Sequence, residues 1–479
     1  MKKTLLISGL LLFFTVKIFA QQFSQYNTNT LYDSFENPSQ RVFIPDSSKQ
    51  FAFNLFVPNL SAMFQITGDA QASLKSRYFL NKYNNAALRV DSGRFNHVNL
   101  NVNVYWIMAK MFTSLNGDEE LGFSAQTKAE GRGLISDESI AILNGVGSFL
   151  NATSGANIFN GNYYFQTYHQ VSLTYREKIN KQFAFGVKLS ALLGIQYSNL
   201  NVQSSNGIID FINNEAAMTL QGRYYGAYIP GGNVNASDYL PTLRNPGAAI
   251  SIGSSYRTED GFFIQGNVKD LGFIHWSSRS DVYNFNNGTL IQGLATTTRE
   301  DSVYNGIKRI SHHNPTEESF TTNINSKAEL SVNKNFWLDD NKEFKYSPTL
   351  IASKDFFDPG FVAALVNPVQ YKEYTVTATA TYNDLKVFAI GGQFMYKTPD
   401  FEVFFGSDEL YQSIGLLRDA IKSPTAYTQN SSFTGASFYL GFALKFGPVV
   451  EHPMNSSSIP DGEKGFLGRL IGRWFKTTD

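Results

Sequence analysis

The chain has 479 residues, 40 basic and 40 acidic side chains, and no cysteine. This length can bury a large core. A zero net charge offers no basic field for nucleic acid, and the lack of cysteine excludes a disulfide framework, a thiolate metal site and a lipid-attachment cysteine.

Lys2 and Lys3, the apolar run Leu5 to Val16 and the small residue Ala20 read as a secretory signal over residues 1–20. The competing reading, an N-terminal anchor, needs roughly 20 apolar residues, and this run is shorter. No later stretch is long and apolar enough to span a membrane as a helix. An exported chain of this kind is periplasmic, secreted or an outer-membrane barrel. Residues 21–49 are polar and irregular, and Pro38 and Pro45 argue against a central strand there.

From residue 50 onward the chain alternates. Val98 to Trp106, Leu121 to Lys128 and Tyr163 to Arg176 carry apolar side chains at every second position, as do Tyr374 to Tyr382 and Phe438 to Phe446. The longest example is Phe183 to Tyr197, in which every odd residue is apolar and only Leu192 breaks the small and polar even set. Period-two alternation is the mark of a strand with one apolar face. A soluble sandwich turns that face to its core, and a membrane barrel turns it to lipid. The polar face is mostly Asn, Gln, Ser, Thr and Gly, aromatic residues gather near strand ends, and little helix is left to cover the apolar faces. These features predict an all-β fold: a transmembrane antiparallel β-barrel of about 14 strands over residues 50–447. The count includes Met218–Tyr228, which conflicts with the turns at Asn180-Lys181 and Thr258–Asp260, since both should lie at one barrel end. If Met218–Tyr228 is instead an external hairpin, a compensating strand is expected near Ile414–Thr434.

Two interruptions read as helical. Ser139–Leu150 follows Asp137-Glu138 and places Ile142, Val146 and Phe149 on one face, either as a lid over the barrel mouth or as a loop helix packed on its neighbours. Ile414–Ile421 is shorter. After Gly447 comes a Pro- and Ser-rich linker, and then Phe466, Leu470 and Trp474 recur at helical spacing with Arg469 and Arg473 on other faces. Residues 448–479 thus read as a periplasmic linker and an amphipathic helix that lies on the membrane interface or braces the barrel mouth.

No catalytic set, cofactor motif or metal motif emerges. His312-His313 lacks a third ligand at fixed spacing. Asp118-Glu119-Glu120 and Asp339-Asp340-Asn341 read as solvated turn acids. His169 and His275 read as rim residues. Lys128, Arg176, Lys188, Gln196, Lys327 and Glu329 share the polar parity and are expected to face the lumen, pairing there or shaping selectivity.

Asn37-Pro38 ahead of the first strand is similar to the Asn-Pro-Ala motif of FadL-type long-chain fatty-acid transporter porins, with Ser39 in the Ala position. Val268 to Trp276 resembles a strand of Bacteroidota members of that group, PorV-like secretion-shuttle barrels and outer-membrane families of unknown function among them. Gly441 and Phe446 fit the closing strand. The resemblance implies an N-terminal hatch inside the barrel, with Asn37 and Pro38 belonging to it, and a plugged lumen. It carries no substrate with it, because FadL-type sites are apolar and the lumen face expected here is mostly polar. The leading expectation is an outer-membrane channel or transporter for small solutes, hydrophobic ones included. A barrel that serves as scaffold or partner for a type IX secretion or other envelope complex stands as the other reading. Outer-membrane lipid is an expected partner on either.

Overall fold

The structure, a computed structural model, describes residues 23–44, 46–113, 118–149, 154–227, 236–357, 360–421 and 433–450. The expected signal and the expected tail helix with Phe466, Arg469, Leu470, Arg473 and Trp474 lie outside these residues.

Fourteen antiparallel strands close into a barrel. In chain order they are β1 (Lys49–Phe53, resuming as Asn59–Thr67), β2 (Phe95–Phe112), β3 (Glu119–Ser136), β4 (Gly161–Lys178), β5 (Phe183–Asp210), β6 (Pro246–Arg257), β7 (Phe262–Trp276), β8 (Phe320–Asn323 with Lys327–Lys334), β9 (Phe344–Tyr346 with Thr349–Asp355), β10 (Phe361–Tyr371), β11 (Tyr374–Asn383), β12 (Phe388–Lys397), β13 (Phe401–Ser407) and β14 (Thr434–Val449). Both parts of β1 pair with β14 and with β2, so no strand edge is left where the sheet begins and ends.

The number agrees with the sequence expectation, but its membership differs. Glu215–Gly226 does not span. It pairs with the far half of β5 and with Asp281–Ile291 as a hairpin sheet beyond the barrel rim. The compensating strand is β10, not a segment near Ile414–Thr434. Its Asn367-Pro368 interrupts an otherwise apolar run, which hid the alternation. With this exchange the turns at 180–181 and 258–260 fall at one end, together with those joining β10 to β11 and β12 to β13. The long connections lie at the other end.

Alternation sorts the two faces. Leu173 and Leu189 are cross-strand partners, 63% and 58% exposed, while Ser172 and Ser190 behind them are buried. Leu330, Leu350, Val376 and Ile390 are exposed in the same way. Phe262, Phe344, Tyr371, Tyr374 and Phe446 ring the short-turn end, and Phe361, Tyr382 and Phe388 the other. Such girdles mark membrane interfaces.

The long connections form a cap. Helices α2 (Gln71–Leu80) and α4 (Arg299–Ser311) are joined by a two-pronged Arg77–Glu300 pair, with Nε to Oε1 at 2.6 Å and Nη2 to Oε2 at 2.9 Å. The single helix expected over Ser139–Leu150 is not formed. Ser136 caps a short α3 (Asp137–Ala141), and two 3-10 turns follow, separated by Gly145 at φ +94°. That left-handed position ends the helical run.

Helix α5 (Leu410–Ile421) extends the expected Ile414–Ile421 helix. It begins where β13 stops, packs against β12 and β14, and its Ser413 hydroxyl bonds both backbone groups of Ser437 on the unpaired edge of β14. A helix thus completes the wall where the thirteenth strand is short.

Candidate functional site

Inside the barrel lies the N-terminal segment from Phe23 to Ile44. It is more ordered than its polar composition suggests. Thr30 accepts a bond from the Asp33 backbone N–H and starts α1 (Leu31–Glu36), and the Asp33 carboxylate in turn accepts from the N–H groups of Thr28 and Asn29. Side chain and backbone so satisfy each other's free groups at the helix start.

At the end of α1, Asn37 Oδ1 accepts from both the N–H and the hydroxyl of Ser39, at 3.1 and 2.9 Å, and folds a tight turn around Pro38. This turn lies flat on the wall. Gly186 of β5 and Gly253 of β6 are directly paired across the sheet. A Cβ at Gly186 would collide with the Pro38 carbonyl oxygen, and one at Gly253 with Asn37 Oδ1. The hatch therefore needs two glycines that sequence reasoning did not single out. Their signal is small residues at inward positions of two strands that pair only in the folded barrel.

The two sides of α1 meet different surroundings. On one side Leu31, Tyr32 and Phe35 form an apolar cluster with Tyr105, Phe404 and Tyr439. Tyr32 meets the Tyr105 and Phe404 rings edge-on, at 5.7 and 5.9 Å. On the other side Glu36 pairs with Lys269 and accepts from Tyr105 at 2.7 Å. Farther along, Arg176 donates to the Ser39 carbonyl at 2.8 Å, Glu120 accepts from the Val42 N–H, Glu402 from the Leu31 N–H, and Asp408 from the Phe23 N–H. Lys397 donates to the carbonyls of Thr28 and Asn29.

The wall beside Glu36 is a buried charge network centred on Asp270. Lys128 and Lys188 both pair with its carboxylate, which also accepts from Gln170 and Ser251. The network depends on a bulge. Asp270 sits at φ +51°, and the register of β7 against β6 shifts between Val268 and Leu271. Lys269 and Asp270, neighbours in sequence, thereby both reach the interior, Lys269 to Glu36 and Glu329 and Asp270 to the two lysines. The segment that carried the family resemblance is thus the bulge that grips the hatch.

Of the residues expected to face the lumen, Lys128, Arg176, Lys188, Lys327 and Glu329 lie inside. Arg176 meets Glu120, Lys327 meets Asp355 at 3.6 Å, and Glu329 meets Lys269. Gln196 is different. A bulge at Ile195 sets Gln196 opposite Thr167 on the outer face and turns Tyr197 inward onto Trp276 and Phe320. Leu192, the exception to the alternation, packs inside with Tyr168, Ile274 and Trp276. Glu120 is not a solvated turn acid. It is buried between Lys110, at 3.1 Å, and Arg176.

Ile142, Val146 and Phe149 are buried in the cap core with Phe159, Met218, Phe285 and Ile310. His312 ends α4 and packs on the rings of Tyr224 and Tyr283, at 4.3 and 5.0 Å. Burial and the nearby Lys308 push its imidazole down to about 4. Among the described residues no cluster of His, Asp and Glu is arranged to hold a metal.

The hatch divides the interior. An outer cavity of about 450 Å³ lies between the hatch and the cap, and an inner cavity of about 440 Å³ between the hatch and the short-turn end. Beside α1 only about 70 Å³ remains, lined by Tyr26, Glu36, Lys128, Lys269 and Glu329. A third cavity, about 200 Å³ and lined largely by apolar side chains such as Ile142, Phe159, Leu200 and Met218, opens under the cap.

A closed barrel with apolar exterior and charged, hatch-filled interior is the architecture of a membrane-spanning β-barrel. Residues 43–408 match DUF5723, a family of unknown function, and the chain belongs to that family. Among solved structures it is similar to the toluene transporter TodX of P. putida (8% identity, 88% of this chain and 95% of that one, TM-score 0.41). It is also similar to a FadL homologue of Pseudomonas aeruginosa (11%, 88% and 92%, TM-score 0.36) and to the translocator domain of the autotransporter NalP from Neisseria meningitidis (7%, 84% and 90%, TM-score 0.34). Among curated proteins none matches the chain.

Proposed function

We propose that the protein is an outer-membrane channel for small, largely apolar solutes, closed at rest by its N-terminal hatch. The observation that carries this reading is the division of one closed barrel into two cavities by a segment held through side chains rather than strand pairing. The short turns and both barrel ends of the chain face the periplasm, and the cap faces outward, as in other bacterial barrels. The apolar cavity under the cap is then the entry site, and Ile142 and Phe159 are among its walls. Residues 1–20 act as the export signal, residues 21–49 as the hatch, and the helix near Trp474 as a periplasmic element at the membrane surface.

The test is uptake of a small aromatic hydrocarbon and of a polar sugar into liposomes. The intact protein should pass the hydrocarbon slowly, and a variant lacking residues 21–48 should pass it many-fold faster. No flux with either protein overturns the reading.

The scaffold reading is favoured by one feature. Ile212, Leu240 and Leu243 stand in water beyond the rim, Ile212 at 91% exposure. Stoichiometric recovery of one envelope or type IX secretion component with the solubilised barrel, lost when Ile212 and Leu243 become Ser, would support it over transport.

A further inference from the structure

Charges inside the barrel are distributed unevenly. Around α1 and its turn five cations are paired with carboxylates: Lys110 has Glu120, Lys128 and Lys188 have Asp270, Lys269 has Glu36, and Lys445 has Glu402. The outer cavity is mixed, with Asp355, Asp384, Asp408 and Glu409 among its walls beside Arg132 and Lys327. The inner cavity is not mixed. Arg41, Lys181, Arg257, Lys345 and Lys397 all line it, and among the described residues no carboxylate does.

These five cations form no ion pair with any described residue. The contacts of four of them are with neutral groups. Arg41 bonds the Asn29 side chain at 3.3 Å, the Arg257 guanidinium lies 5.2 Å from the centre of the Phe263 ring, Lys345 lies 5.9 Å from that of Trp337, and Lys397 bonds two hatch carbonyls. Three more cations on the same wall, Arg176, Lys178 and Lys445, are paired to carboxylates that lie outside the cavity lining. Arg41 lies within the field of Arg176 and Arg257 and, with opposite sign, of Glu120, and Lys345 within that of Arg41 and Arg257.

Arg41, Lys181 and Arg257 are exposed to water here, and like charges gathered in one recess repel one another unless something of opposite sign enters it. Such a recess concentrates counter-ions, and guanidinium groups recognise carboxylate and phosphate oxygens in pairs. The two cavities therefore differ in the charge they present.

We propose that the inner cavity is a binding site for a soluble multivalent anion carrying phosphate or clustered carboxylate groups, and that Arg41, Arg257 and Lys345 make its centre. The cavity is open at the short-turn end, and its volume of about 440 Å³ admits a small molecule. Lys397 and Arg176 hold the hatch and also line this cavity, so an anion there touches the residues that keep the hatch in place. The proposal does not rest on transport, because binding is read in detergent whether or not the barrel conducts.

The experiment is a calorimetric titration of the full chain in non-ionic detergent with pyrophosphate, and with acetate as a monovalent control. Saturable pyrophosphate binding, at least tenfold tighter than acetate, is expected. Arg257→Gln with Lys345→Gln should weaken it at least tenfold, and Arg309→Gln on the cap helix should leave it unchanged. Heat-modifiable gel mobility reports whether the double variant is folded. In the unaltered protein, pyrophosphate should shield Lys181 and Lys345, but not Lys308, from an amine-acylating reagent. That second reading holds even if the variant does not assemble. Absence of saturable binding overturns the proposal, as does equal affinity in the folded double variant or equal labelling with and without pyrophosphate. A soluble short-chain phosphatidic acid provides the last arm. If it binds more tightly than pyrophosphate, the anion is lipid-borne and the assignment of a free anion fails.

Discussion

The two sides of the hatch helix hold it by different physics. On the side of β13, β14 and β2, Leu31, Tyr32 and Phe35 are buried against aromatic rings. This contact is non-directional, and its strength follows buried area. On the side of β3 to β8, Glu36 is held by Lys269 beside the Asp270 network, and the narrow gap of about 70 Å³ lies here. An ionic contact of this kind depends on each partner and strands a charge when one is lost. On the proposed reading the aromatic side would act as the hinge of the hatch, and the charged side as its latch.

Four changes break or sharpen this contrast. The largest effect is expected from Asp270→Ala, which leaves Lys128 and Lys188 buried without their shared carboxylate. Loss of one partner of such a group costs roughly 3–5 kcal/mol. Urea unfolding followed by tryptophan fluorescence should shift to markedly lower midpoint, and an unchanged midpoint would show that the network does not hold the wall.

Phe35→Ala should cost somewhat less, about 3 kcal/mol, by the usual penalty for removing a buried aromatic side chain. Because this is the hinge side, hydrocarbon flux should rise less than with Glu36→Gln. A larger rise with Phe35→Ala would reverse the assignment of hinge and latch.

Gly253→Val places a branched side chain where Asn37 and Ser39 now lie. The displaced turn should expose the hatch to added protease, at a cost of roughly 1–3 kcal/mol typical of overpacking. An uncleaved hatch would mean that the turn can be accommodated elsewhere.

The smallest effect lies in the cap, away from both sides. The His312 imidazole is held down at about 4, below its ordinary value of 6.5. Below pH 6.5 the unfolded chain binds a proton that the folded cap does not. Cap stability should thus fall as the pH drops from about 6.5 to about 4 and then level off. His312→Phe should remove that part of the slope in hydrogen exchange of α4, and an equal slope in both proteins would place the titration elsewhere.

Much of the wall was legible in the sequence, because a strand with one face in lipid must alternate, as from Phe183 to Leu193. The strand number was legible too, but β10 was not, since Asn367-Pro368 broke its pattern and Met218–Tyr228 imitated one. The candidate site was only partly legible. Asn37 and Pro38 stood out, and parity indicated Lys128, Arg176 and Lys188. Parity could not indicate Asp270, because a bulge turns it inward, nor did it reject Gln196, because another bulge turns it outward.

By itself the sequence determined the one-sided strands and the barrel they build, since both follow from local periodicity and composition. Only the tertiary structure decided what meets inside. Gly186 and Gly253, Glu36 and Lys269, and the unpaired cations of the inner cavity lie on strands or segments far apart in the chain. Their meeting depends on register, bulges and closure, which set long-range neighbours and leave no repeating mark in the sequence.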